Sequence, residues 1–306
     1  MPSEPLLVWI LFNAFVLVML ALDLGVFHRR ARAIGLREAL LSSAGWILLA
    51  AAFAVGVHFW LGRARAIEFT TGYLVEESLS VDNLFVFLLI FRYFRVPSHL
   101  RHKVLFWGIL GALLMRGAFI LAGVTLLRQF HWIAYVFGAF LVYTGAKLAL
   151  AGKAEVLPEQ NVVVRLFRRW FRMTPEYVGD GFFVRREALC ATPLLLSLLA
   201  LEAADVLFAV DSVPAVLAIT RDPFIVYSSN VFAILGLRSL YFALAGLLEW
   251  FAYLHYGLSA ILIFIGAKML ISEFCPISTG IALGVVAGVL AASVMLSLIL
   301  PKERAA

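Results

Sequence analysis

Nine apolar stretches, each about the length that crosses a bilayer, constrain this chain of 306 residues more than any other feature. They run over about 6–27, 38–61, 67–91, 104–127, 131–151, 190–219, 224–250, 256–272 and 279–300. A helix needs about 20 apolar residues to cross the hydrocarbon, and a helix satisfies its own backbone there. Hydrophobic residues make up 63 % of the chain and charged ones 14 %, against about 45–50 % and about 25 % in soluble domains. A soluble enzyme or binding module is therefore excluded. The expected fold is a single polytopic all-α membrane domain over 1–306, with about nine transmembrane helices and no enzymatic activity.

The positive charge sits in alternate loops. Arg29, Arg30, Arg32 and Arg37 follow the first span, and Arg92, Arg95, Arg101 and Lys103 follow the third. Lys153, Arg165, Arg168, Arg169, Arg172, Arg185 and Arg186 follow the fifth, and Lys302 and Arg304 follow the ninth. The opposite loops hold only Arg63, Arg65, Arg128 and Arg221. Cytoplasmic loops carry the excess of Lys and Arg, so the N-terminus is expected outside and the C-terminus in the cytoplasm. The net charge of +6 is assigned to these loops and not to a nucleic-acid partner. The cytoplasmic loop 152–189 is basic, and within 160–172 Arg165, Arg168, Arg169 and Arg172 recur at helical spacing among apolar residues. Such a segment is expected to lie on the anionic lipids of the cytoplasmic leaflet. Cys190 and Cys275 form no CxxC, so neither a disulfide framework nor a thiol metal site is signalled.

Two sets of three spans resemble each other, over 67–151 and 190–272. The third span reads Val81-Asp82-Asn83-Leu84-Phe85 and the sixth Ala204-Asp205-Val206-Leu207-Phe208. The fourth and seventh each carry one arginine near the middle, Arg116 and Arg238. The fifth and eighth each end in Gly-Ala-Lys, at Lys147 and Lys268. From Asp82 to Arg116 is 34 residues and from Asp205 to Arg238 is 33; from Arg116 to Lys147 is 31 and from Arg238 to Lys268 is 30. A unit with an odd number of spans repeats upside down. Inverted 3+3 repeats build secondary transporters with a substrate site near the midplane. Spans 1, 2 and 9 are then additions.

Carboxylates in hydrocarbon are costly and mark function. Glu76, Glu77 and Asp82 lie in the third span, Glu202, Asp205 and Asp211 in the sixth, and Asp23 near the cytoplasmic end of the first. At 100° per residue Glu76, Ser80 and Asn83 share a stripe, with Asp82 off it; Glu202, Asp205 and Ser212 share another. Asp211 points away from that second stripe, but Pro214 removes a backbone bond. A break there would turn Asp211 inward. The expected ion site is Glu76, Ser80, Asp82, Asn83, Glu202, Asp205, Asp211 and Ser212. All donors are hard oxygens, which suits Mn²⁺, Mg²⁺ or Ca²⁺ and not Zn²⁺ or Cu⁺. Arg116 and Arg238 can neutralise two of the six acids of these spans and leave four. Lys147 and Lys268 are placed at span ends, where they can snorkel to the interface. With Asp23 they complete the charge-balancing set. Asn13 and Asn230 read as interhelical glue in preference to ligands.

The segment Glu76-Glu77-Ser78-Leu79-Ser80-Val81-Asp82-Asn83 resembles the E-x-S-L-S-V-D-N signature of the TerC/Alx integral membrane proteins. Phe208-Ala209-Val210-Asp211-Ser212-Val213-Pro214-Ala215 resembles their F-A-V-D-S-[IV]-P-A segment, and Leu22 to Phe27 and Thr174 to Tyr177 also fit. The resemblance covers nearly the whole chain. It implies a bacterial inner-membrane protein of a family linked to tellurium-compound resistance, to redox modulation at alkaline pH and to manganese export. It also implies that Glu76, Asp82, Asn83, Glu202, Asp205 and Asp211 handle metal. The hard-oxygen chemistry selects export of Mn²⁺, with protons as the expected counter-ion and no permanently bound cofactor. The alternative is a membrane redox modulator or tellurium-resistance protein that transports nothing. The oligomeric state is open.

Overall fold

The computed structural model describes residues 5–25, 35–130, 132–151, 173–174, 176–185, 189–245, 254–272 and 277–299. The basic segment 160–172 lies outside the described residues, as do the side chains of Asp23 and Asp82.

Nine helices stand among the described residues. They are α1 (Leu6–Gly25), α2 (Leu36–Leu61), α3 (Arg63–Tyr93), α4 (Ser98–Gln129), α5 (Ile133–Ala151), α6 (Pro193–Leu217), α7 (Pro223–Ala245), α8 (Leu254–Leu270) and α9 (Thr279–Ile299). Six of them, α2, α4, α5, α6, α7 and α9, are long and apolar enough to cross a membrane, and α1 and α8 hold shorter apolar stretches. α3 falls outside both groups because its row of acids dilutes its apolarity. At 31 and 32 residues, α3 and α4 are about 47 Å long. They overshoot the roughly 30 Å hydrocarbon.

Backbone chemistry sets the ends. Gly62, with φ 91°, separates α2 from α3. α3 ends in a left-handed residue, Arg95 at φ 52°, and Val96 N–H closes back on Phe91 O at 2.9 Å. This is the Schellman pattern with arginine where glycine is usual. Pro193 and Pro223 open α6 and α7, where a missing N–H costs nothing.

The sixth span begins three residues later than the hydropathy suggests. Leu189–Ala191 is instead a strand, β2, paired antiparallel with β1 (Phe183–Arg185) in the register Val184 to Cys190. Buried Thr192 ties this hairpin together, its N–H on Phe182 O at 3.0 Å and its hydroxyl on Gly181 O at 2.8 Å. Lys103 of α4 donates to Asp180 O at 2.6 Å, and the Tyr177 hydroxyl donates to Phe94 O at 2.6 Å. The hairpin is thereby fastened to the ends of α3 and α4.

α7 is the axis of the molecule. Its apolar window is 89 % buried, against 17 % for α9. α3, α2 and α4 surround it. Phe232 meets Phe12, Phe53 and Phe69 at ring separations of 6.2, 4.7 and 5.8 Å, which fixes α1 and α2 on its flank. The remaining contacts are reciprocal between the two three-helix sets. α3 packs on α7, α4 on α6, and α5 on α8. This last pair meets backbone to backbone. A Cβ on Gly266 would stand 2.7 Å from Gly138 O, and one on Gly145 would stand 2.9 Å from Ser259 O. Ser259 also donates its hydroxyl to Gly145 O at 2.6 Å.

Candidate functional site

The centre of the bundle is built around Arg116, about midway along α4 and 1 % exposed. Glu76 of α3 forms an ion pair with its Nη1. Asp205 of α6 approaches Nη2 with Oδ1 at 3.3 Å. Nη1 also donates to Ser212 Oγ and to Asn230 Oδ1, each at 3.1 Å. The Asn230 amide is turned by its own Nδ2, which donates to Val226 O at 3.1 Å. Glu76, Asp205, Ser212 and Asn230 are all buried. Four oxygens on three helices, two of them carboxylate oxygens from opposite three-helix sets, thus surround one guanidinium.

The stripe that carries Glu76 continues inward through Ser80 and Asn83, both buried. Among the described residues Ser80 Oγ, Asn83 Nδ2, Glu76 Oε2, Asp205 Oδ2 and Arg116 Nε have no hydrogen-bond partner. Glu202, one turn before Asp205, is half-buried and adds to the negative field at Asp205. Its carboxylate lies over Gly111 of α4, where an added methyl would collide with it. Gly111 is the space that admits Glu202. Asp205 borders a cavity of about 10 Å³ with Phe87, Leu105, Ile109 and Leu201, room for about one water.

Other expected members lie elsewhere. The break at Pro214 does not occur, since α6 continues unbroken to Leu217. Asp211 therefore stays off the Asp205 face. It accepts from the Thr144 hydroxyl of α5 at 3.4 Å, with Lys147 as its neighbouring cation. Lys268 stands at the polar end of the bundle, among the residues that line its cavity. It is buried and donates to Ala218 O at 3.1 Å beside Glu68. Arg238 is buried between α2 and α7 at the inner end of an apolar cavity of about 750 Å³. The side chains of Asp82 and Asp23 are not described. Among the described residues no three His, Cys, Asp or Glu side chains form a metal-holding group.

Two features escaped the sequence reading. Asn230 is an acceptor for Arg116 as well as glue, whereas Asn13 is glue alone, accepting from Tyr227 at 2.8 Å. A polar cavity of about 480 Å³ at the opposite end from the apolar one is lined by Arg65, Glu68, Thr220, Arg221, Asp222 and Lys268. Arg65 holds Glu68 at 2.7 Å and Asp222 at 3.4 Å there. One signal for the central pairing was present in the sequence. Glu76 and Asp205 are each followed, six residues on, by a second acid and then a small amide or hydroxyl, Asp82-Asn83 and Asp211-Ser212. That register sets Glu76 against Asp205, the two carboxylates that the geometry brings to Arg116.

The chain matches the integral membrane protein TerC family over residues 61–305. An uncharacterized membrane protein of Myxococcus xanthus is 53 % identical over 292 residues, 95 % of this chain and 92 % of that protein. An Escherichia coli K12 protein named "Putative membrane-bound redox modulator Alx" is 48 % identical over 294 residues, 93 % of this chain and 92 % of its own length. A Rickettsia bellii membrane protein is 37 % identical over 292 residues, 95 % of this chain and 97 % of that protein. No solved structure matches the chain.

Proposed function

The chain belongs to the TerC family of integral membrane proteins, and we propose that it is a secondary transporter that exports a divalent metal ion, Mn²⁺ in the first place. One observation carries the reading. Glu76 and Asp205, from the two three-helix sets, converge inside the membrane domain on a single guanidinium. Two carboxylates and one arginine sum to −1, and Glu202 is close by. Uncompensated charge at such depth is costly, so a site that keeps it is a site for a cation. The donors around it are carboxylate, hydroxyl and amide oxygens, the set that hard divalent ions take. The cavities at opposite ends of the bundle, polar and apolar, suit a carrier that opens alternately to two sides. The membrane is the bacterial inner membrane, with the N-terminus outside, and export runs against inward proton flow. The segment 160–172 rests on the lipids of the cytoplasmic leaflet.

The test is Mn²⁺ flux in proteoliposomes under an imposed pH gradient. Flux is expected in the wild-type protein and lost in Glu76→Gln, Asp82→Asn and Asp205→Asn. Rates unchanged in all three would remove the site.

A second reading follows from the name carried by the Escherichia coli relative, a redox modulator that transports nothing. It needs an electron carrier or reactive thiol. Cys190, a half-buried free thiol on β2, is the described candidate; Cys275 lies outside the described residues. A phenotype abolished by Cys190→Ser with Cys275→Ser, with Mn²⁺ flux intact, would favour this reading.

A further inference from the structure

We propose that Arg116 is a tethered counter-cation, seated on the carboxylates when the transported ion is away, so that net transport needs it and metal-for-metal exchange does not. The inference rests on the transporter reading and assigns a role within the same site.

The geometry argues for a seat that is filled and vacated. Arg116 is the one group that touches Glu76, Asp205, Ser212 and Asn230 together. With the guanidinium gone, two buried carboxylates from α3 and α6 would face each other beside a cavity of about 10 Å³. The one or so waters that cavity admits are too few to solvate two carboxylates. To return, an empty carrier in that condition needs a proton on each carboxylate, whereas Arg116 leaves a single negative charge for the counter-flowing proton to neutralise. A divalent ion at the same oxygens removes the problem, and so does Arg116. Each acts as the other's substitute.

The contact to Asp205 is also loosely made. A permanent arginine–carboxylate pair favours two parallel hydrogen bonds from fork to fork. Here the guanidinium meets one oxygen of Asp205, while among the described residues Oδ2 has no partner and Arg116 Nε donates to none. Its grip is divided among four acceptors on three helices, each replaceable by a metal ion's coordination bond. Arginine suits the task because it keeps its charge at every physiological pH, on a long stem that can withdraw. Asn230 and Ser212, which accept from Nη1, position the guanidinium between the carboxylates.

The experiment compares two modes in proteoliposomes with radioactive Mn²⁺: net efflux into metal-free medium, and tracer exchange with Mn²⁺ on both sides. In Arg116→Gln, net efflux is expected to fall at least about tenfold while exchange stays within about threefold, the signature of a carrier that returns only when loaded. Arg116→Lys keeps a cation on a long stem and is expected to restore part of the net efflux. Equal loss of both modes in both variants means a structural arginine and overturns the proposal. Net efflux unimpaired in Arg116→Gln overturns it too. Wild-type protein that moves Mn²⁺ in neither mode overturns the transporter reading itself, a separate result.

Discussion

At the scale of single residues, burial and partner choice decide what a charge does, and partners come from distant sequence. Lys268 has the span-end position of a snorkelling lysine, and its ammonium is taken up there by the Ala218 carbonyl at the end of α6, at 3.1 Å. Asp211 sits in the family-like segment before Pro214, yet it serves the α5 interface through Thr144. Neither outcome was legible, because each depends on which helix lies alongside. The acids themselves were legible, since a carboxylate in an apolar run needs a reason wherever it points. Tyr177 gives a clean test at this scale. Its hydroxyl donates to Phe94 O across the α3 terminus, and burial pushes its pKa from 10.0 to about 12. A raised folded-state value means that folding favours the neutral phenol. The stabilisation is complete below about pH 10 and disappears as the pH climbs through about 12. Tyr177→Phe is therefore expected to lower stability by about 0.5–1.5 kcal/mol at pH 7. In thermal unfolding scans the gap between the two proteins should narrow above pH 10 and close near 12. A gap constant with pH would show that the hydroxyl is not the cause.

At the scale of elements, apolar runs located all nine helices of the described residues, and the exceptions have physical causes. The β1–β2 hairpin reads as the start of the sixth span because Leu189, Cys190 and Ala191 are apolar. Pro193 and the hydrogen bonds of Thr192 stop the helix there. The two Gly-Ala-Lys endings stood out in the sequence as a repeat marker. The structure gives their glycines a packing role that spacing alone does not reveal. Gly145 lies against Ser259, and Gly266 against Gly138, so that α5 and α8 touch along bare backbone. Close approach of small residues is a usual driver of helix association in lipid. Gly138→Leu places a side chain where a Cβ alone would already be 2.9 Å from Leu270 and 3.0 Å from Gly266 O. It is expected to separate α5 from α8 at a cost of at least about 1–3 kcal/mol, by analogy with overpacked cores. The check is the unfolding midpoint in detergent, with Gly284→Leu as control, where nothing lies within 4 Å of the added Cβ. Equal midpoints in the two variants would contradict the packing role.

At the scale of the whole molecule, the sequence carried the number of helices among the described residues and the charge asymmetry of the loops, while the way the two halves lock together emerged only in three dimensions. α3 with α7, α4 with α6 and α5 with α8 form three cross-pairs around the central α7. Each half therefore builds half of its partner's walls, and the central arginine of one meets the acid of the other. Orientation is set by something the bundle does not contain, the Lys and Arg of the loops acting on insertion. It is best read at two turns that the structure describes. Ser98, exposed after the turn between α3 and α4, belongs to a basic loop and is expected in the cytoplasm; Arg221, exposed between α6 and α7, is expected outside. In a background with Cys190 and Cys275 replaced by Ser, Arg221→Cys should react with a membrane-impermeant maleimide added to intact cells. Ser98→Cys should react only after the cells are opened. The reverse pattern would invert the molecule and move the 480 Å³ polar cavity, which includes Arg221, to the cytoplasmic side. Labelling of both positions in intact cells would show that the two turns do not lie on opposite sides, and the alternate-side reading of the cavities would go with it.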